Sequence, residues 1–397
     1  MNRLLSLRCG LAAGLGFYSC IVFLYAADPG RPSLPLSPAY VSIRHEAQRS
    51  MDRGVAWLLD QQHSEGYWST ADHPAITALV LTGCLRNPHP PASAEYQDHL
   101  DRGLKFLLES VQSDGGIYRK PLLQNYNTSV SLMALLAADR PEYRTAILKA
   151  RGFLIGSQSD FGERGKLDHV YDGGIGYGSR YPHSDLSNTL HALEALYHSR
   201  HLVADQSLSE GGDLNWEAAR RFIERCQNRP ESNPQAWASS DPANRGGFIY
   251  FPGHSMAGNM QLAGGRTVLR SYGSMSYAGL LSMIYAGVEG DDPRVLAVRD
   301  WLRGNYTLQE NPGMGLQGLY FYYHTMAKGL TVAGVDRLRM ANGKDVDWRQ
   351  ELLMMLLQRQ GVDGSWVNEH PRWWENDPVL VTAYATLTLA IIHRGLQ

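Results

Sequence analysis

The chain has 397 residues, 44% hydrophobic and 19% charged, with a formal net charge of −2. This composition excludes a disordered chain and fits a globular protein with a large core. No basic stripe or block of like charge runs along it, so nucleic acid is excluded as an expected partner.

Residues 1–27 read as an export signal. Arg3 and Arg8 precede an apolar run over 9–26, and Asp28-Pro29-Gly30 follows. Leu24 or Tyr25 would stand where a signal peptidase prefers a small residue, so the segment is either a cleaved signal or a retained N-terminal anchor. The expected location is the periplasm, the cell envelope or the exterior. Residues 28–40 carry Pro29, Pro32, Pro35 and Pro38 and form a stiff linker. Beyond them, 41–397 is a single folded unit. Its two cysteines, Cys84 and Cys226, make no disulfide framework and are expected to be buried thiols.

The folded unit repeats. An aromatic or large apolar residue, an aliphatic residue, three others and Gln recur as Trp57-Leu58-x3-Gln62, Phe153-Leu154-x3-Gln158, Phe222-Ile223-x3-Gln227 and Met355-Leu356-x3-Gln360. Looser copies are Phe106-Leu107 with Gln112, and Trp301-Leu302 with Tyr306. Each closes an amphipathic helical pattern. Glycine follows each, at Gly66, Gly115, Gly173, Gly246, Gly313 and Gly364. A second helix, apolar on nearly every face, comes next, over 75–85, 128–138, 186–197, 274–286, 319–330 and 379–393. A helix apolar all round is buried. Six amphipathic helices around six apolar ones predict an all-α (α/α)6 toroid, a double ring that needs no capping repeat. Gly-rich insertions at 160–183, 228–272 and 303–318 should cluster on one rim, and 246–253 has the composition of a short strand.

These repeats carry a resemblance. Arg53-Gly54-x2-Trp57-Leu58-x3-Gln62-x3-Gly66-x-Trp68, with Gln360-x3-Gly364-x-Trp366, resembles the QW repeat of squalene and oxidosqualene cyclases. The segment Gln317-Gly318-Leu319-Tyr320-Phe321-Tyr322-Tyr323-His324-Thr325 is similar to the stretch of protein prenyltransferase β-subunits that bears a zinc-binding His, with His324 at that position. The resemblance implies a toroid with a central cavity for an apolar, isoprenoid-like ligand. The family's Asp-x-Cys zinc pair has no counterpart in 269–277, so zinc and other cofactors are not expected. The cyclases' Asp-x-Asp-Asp acid cluster is also missing: Asp291-Asp292 and Asp345-x-Asp347 precede outer helices, where they read as caps.

Candidate functional residues follow. His324 and Asp185 are the expected catalytic groups, Asp185 as a buried acid at the start of an inner helix. Tyr272, Tyr277, Tyr320, Phe321, Tyr322, Tyr323, Trp373, Trp374 and Tyr384 could line a cavity that stabilises carbocations, although as single residues they are better explained as core. Asp72 and Asp377 read first as helix caps. His191, Glu194 and His198 share one stripe of an inner helix, either a solvated end or a weak metal site. Asp168, His169, His254 and Ser255 lie in rim loops without the turn of a hydrolase triad. Two other functions compete with an isoprenoid-handling enzyme. One is a non-catalytic envelope scaffold. The other is a carbohydrate-active toroid using two of Asp172, Asp185, Glu369, Glu375 and Asp377.

Overall fold

The computed structural model describes residues 38–178, 183–203, 212–340 and 343–396. The export segment and most of the linker lie outside them, and the last linker residues already form the first turn of helix α1. Twelve α-helices run in order: α1 (Pro38–Asp60), α2 (Pro74–Leu85), α3 (Ala94–Glu109), α4 (Gln124–Ala138), α5 (Arg144–Gly156), α6 (Leu186–Ser199), α7 (Trp216–Arg225), α8 (Gly273–Tyr285), α9 (Pro293–Gly304), α10 (Leu319–Val332), α11 (Trp348–Arg359) and α12 (Pro378–Gly395). None of the described helices is long and apolar enough to cross a membrane.

The even-numbered helices form a closed inner ring. α2 packs on α4, α4 on α6, α6 on α8, α8 on α10, α10 on α12, and α12 back on α2. The odd-numbered helices lie outside. The expected repeat unit needs one correction. The sequence pairs each outer helix with the inner helix after its Gly-rich turn, and α5 with α6 and α11 with α12 pack that way, but α2 packs more closely on α3, α4 on α5 and α8 on α9. The short connections lie at that end and hold those pairs together. Across the chain ends, α1 packs along α12. Ala47, Met51, Val55 and Leu58 bury the inner face of α1.

The repeated Gln, Gly and aromatic residues explain how neighbouring units are joined. Gln62 Nε2 donates to Gly66 O in its own turn and to His99 O on α3, both at 2.9 Å. Gln158 likewise bridges Gly173 O and Asn215 O, the cap of α7, and Gln227 bridges Gly246 O and Arg294 O on α9. All six turn glycines have positive φ, and five of them, Gly66, Gly115, Gly173, Gly246 and Gly364, sit against a carbonyl of the next outer helix. A Cβ on Gly173 would lie 2.0 Å from Ala218 O, and one on Gly246 2.2 Å from Ala297 O. Only glycine fits there. Two residues on, Trp68, Ile117, Ile175, Phe248 and Trp366 each donate their backbone N–H to an inner-helix hydroxyl: Thr77, Thr128, Thr189, Ser276 and Thr382. In the fifth unit Tyr306 replaces Gln, and its hydroxyl reaches Glu351 on α11.

Ring closure uses the same parts. Gln360 Nε2 donates to Gly364 O at 2.8 Å and to Ser50 O on α1 at 2.9 Å, while its Oε1 accepts from Ser50 Oγ. The Trp366 ring fills the space a Cβ at Gly54 would need. Gln360→Leu should therefore lower the unfolding free energy by about 2 kcal/mol, because two carbonyls lose their donor. Urea denaturation followed by circular dichroism reads this directly, and a change below about 0.5 kcal/mol would show that the staple contributes little.

The insertions within 160–183, 228–272 and 303–318 each lead into the N-terminus of an inner helix and so share one rim, whereas β3 and β4 belong to the connection after α10, at the opposite end. The strand expected at 246–253 forms only isolated bridges, Gln227 with Phe248 and Phe251 with His254. Its backbone is used otherwise, Phe248 N by Ser276 and Ile249 N by Cys226 O. The described strands are β1 (Asn259–Gln261) paired antiparallel with β2 (Thr267–Leu269), and β3 (Leu338–Arg339) with β4 (Asp345–Val346). Cys84 and Cys226 are buried free thiols, and burial pushes the Cys84 thiol up to about 12.

Candidate functional site: a charged axis and an arginine-lined cavity

Two inner helices carry facing polar stripes. α6 carries His191, Glu194 and His198, and α10 carries Phe321, His324 and Lys328, at the same helical spacing. They meet across the ring. Lys328 Nζ donates to both Glu194 carboxylate oxygens, at 2.9 and 3.0 Å, with the two side chains 9% and 3% exposed. Around this pair, the His191 ring stands 5.2 Å from Tyr126 and 6.1 Å from Phe321, and His324 lies 5.7 Å from Tyr384. The Tyr126 and Tyr384 hydroxyls are 3.3 Å apart. α8 contributes Tyr285, 5.7 Å from His198.

Electrostatics follow from burial. Desolvation would raise the Glu194 carboxyl, but Lys328, His198 and Arg86 outweigh it and hold it below the ordinary carboxylate range. Desolvation pushes His191 and His198 down to about 4, and desolvation with Lys328 holds His324 well below its ordinary value. These imidazoles are neutral at pH 7. His191 Nε2 and His324 Nδ1 have no hydrogen-bond partner among the described residues. The α6 stripe is thus buried rather than a solvated helix end. Glu194 is taken up by Lys328, and no group of three metal-ligating side chains gathers among the described residues. Lys328 escaped the sequence reading; the available signal was a lone Lys four residues after His324 in an apolar helix.

Asp185 is fully buried at the start of α6 and caps it. Its Oδ1 accepts from Asn188 N and its Oδ2 from Asn188 Nδ2, both at 2.8 Å. Burial pushes the carboxyl up to about 7, against hydrogen bonds from Asn188 and the Tyr250 hydroxyl that favour the ionised form. Tyr177, Tyr250 and Tyr272 surround it, all with hydroxyls held above their ordinary values mainly by burial. Tyr177 and Tyr250 were not anticipated, because they lie in irregular insertions without helical spacing.

The remaining expected residues disperse. The Tyr322 and Tyr323 hydroxyls donate outward to Thr307 O and Leu308 O in the loop after α9. Tyr277 packs on Tyr322, and Tyr320 on Tyr323, within the wall between the two rings. Trp373 and Trp374 stand half-exposed on the Gly-rich rim at φ 57° and 65°, with Arg372 over Trp373 and His73 against Trp374. Among the acids, Asp172 accepts from Phe161 N and His169 N, and Glu375 accepts from Tyr320 N and Phe321 N. Asp377 caps α12, Glu369 is exposed, and Asp72 pairs with Lys120. Ser255 Oγ donates to Arg270 O and Asp168 accepts from Glu163 N, so neither is placed in a triad.

At the opposite rim, where the inner helices end, lies a cavity of about 680 Å³ that is half open to solvent. Leu85, Met133, Leu136, Ala137 and Ile147 supply apolar walls, with Tyr197 and His198 from the last turns of α6. Arg86, Arg140, Arg144, Arg200 and Arg394 also line it, against one carboxylate, Asp139. Sequence reasoning missed this site. Its one signal is that α2, α4, α6 and α12 each have an arginine within two residues of their C-terminal end.

Solved structures share the fold. The type II terpene cyclase MstE from Scytonema, in complex with geranylgeranyl dihydroxybenzoate (substrate), matches with a TM-score of 0.51 at 12% identity, over 89% of this chain and 99% of that chain. The same enzyme in complex with merosterolic acid A (product) gives 0.50 at 12% identity and the same coverage. The GH76A alpha-1,6-mannanase from Salegentibacter sp. HEL1_6 gives 0.51 at 12% identity, over 88% of this chain and 100% of that chain. No family model matches the chain, and no curated protein matches it significantly. At this identity the likeness is one of fold, and it establishes the helical toroid that the terpene cyclase and the mannanase both have.

Proposed function

We propose that this toroid is an exported protein that binds an apolar, isoprenoid-like small molecule in the cavity at the inner-helix C-termini. The observation that carries the reading is the cavity itself, about 680 Å³ with apolar walls from three inner helices, within the size range of small-molecule sites. The terpene cyclase of the same fold is named with a geranylgeranyl substrate, which fits an apolar ligand. Binding without turnover is favoured by the filled axis. Asp185, the buried acid, lies at the N-terminal end of α6, and the cavity lies at its C-terminal end, a helix length of about 20 Å at 1.5 Å per residue. His191 and the Glu194–Lys328 pair occupy the axis between them.

Titration calorimetry with farnesol, an uncharged isoprenoid alcohol, tests this. The protein should bind farnesol, and Ala137→Phe, which fills the cavity from its α4 wall, should weaken binding at least tenfold, about 1.4 kcal/mol. Its melting temperature should stay near that of the parent. No binding by the parent, or equal binding by Ala137→Phe, would overturn the reading.

A further inference from the structure

Resting on that reading, we propose that the ligand carries an anionic head, a carboxylate or phosphate, held at the cavity mouth by Arg144 and Arg200. The mouth concentrates cations on a chain whose net charge is −2. Five guanidinium groups line it against the one carboxylate of Asp139, and Arg140 is paired with Asp101. Among the described residues no carboxylate pairs with Arg144 or Arg200. Arg144 donates to Leu202 O, and Arg200 lies 3.9 Å over the Tyr197 ring, contacts that leave their positive charge in place.

Helix capping accounts for only some of these residues. An arginine at a helix C-terminus is favoured by the dipole, and Arg394 donates to Arg86 O in that manner. Arg144 is the opposite case. It follows the 3-10 turn of 141–143 and opens α5, exposed in the N-terminal part of the helical run, where the dipole gives a cation no support. A guanidinium placed there, beside a second without a carboxylate partner, suits a bound anion, which arginine recognises through paired N–H donors. The apolar wall behind the mouth would take the hydrocarbon part. The ligand is thus an amphiphile whose charged end faces the rim, and the Glu194 charge deeper in the ring is neutralised by Lys328.

The test compares three ligands with one chain and different heads: farnesyl phosphate, farnesoic acid and farnesol. At low salt at least one anion should bind tenfold or more tighter than farnesol, and the tighter of the two identifies the head. Added salt should narrow the gap. Arg144→Gln with Arg200→Gln should erase it, read as the ratio of anion to farnesol affinity within the variant. Equal binding of farnesol and both anions by the parent protein would overturn the head-group assignment and leave the apolar cavity standing. If none of the three binds, the cavity reading itself fails. The comparison on the parent protein decides the matter even if the double variant does not fold.

Discussion

Lys328→Met should lower the unfolding free energy by about 3–5 kcal/mol, the largest single-residue effect expected in this protein. The substitution keeps a similar apolar length but leaves the Glu194 carboxylate buried without its cation. Glu194 is 2% exposed, and its described hydrogen-bond donor is the lost ammonium. Burial of an unpaired charge is among the few mechanisms that reach this size. Glu194→Gln should cost a comparable amount, because Lys328 then stands unpaired. The double variant Glu194→Leu/Lys328→Met should recover most of the loss, since a well-packed apolar pair often equals a buried ion pair. Urea denaturation of all three variants checks this. If Lys328→Met stays within about 1 kcal/mol of the parent, the pair is solvated in solution and the axis is open. The pH dependence has a definite sign. Glu194 is held below its unfolded value, so its contribution is present above the unfolded pKa and lost as pH falls through the folded one.

The second large effect is at Asp185, and its sign is opposite. The folded carboxyl titrates at about 7 against an ordinary value of 3.8. A raised folded pKa contributes stability fully present below pH 3.8, and that contribution is lost as pH rises through 7. The difference of about 3 pKa units corresponds to roughly 4 kcal/mol for this fully buried group. Asp185→Asn should remove this dependence between pH 4 and 7. It should also leave the α6 cap intact, because Asn accepts from the backbone of residue 188 as well as Asp does. The variant should therefore match the parent at pH 4 and exceed it at pH 8. Identical stability–pH curves for the two proteins would show that Asp185 is solvated and has no store of protonated acid.

The architecture was largely legible because repetition writes it several times. Apolar residues on every face of six segments can only be buried, and Gln, Gly and Trp recur where neighbouring units must be joined. Gly66, Gly115, Gly173, Gly246 and Gly364 each meet a carbonyl of the next outer helix, a contact no other residue allows. Asp185 was legible as an acid at an inner-helix start. The register of the pairs was not: α1 packs on α12, from the far end of the chain. The strand expected at 246–253 failed because β-type composition cannot supply a neighbouring strand.

By itself, then, the sequence determined the all-helical double ring, the rim that collects the long insertions, and Asp185 at the start of α6. Local periodicity and repeated sterics are properties of short segments, so they can be read without knowing what lies across the ring. Only the tertiary structure decided that Lys328 neutralises Glu194 from 134 positions away, that Tyr322 and Tyr323 turn into the wall, and that arginines from separate helix ends share one cavity. Each of these depends on which face of a helix meets which neighbour. An inner helix that is apolar all round leaves that choice unmarked, and closure of the ring makes it.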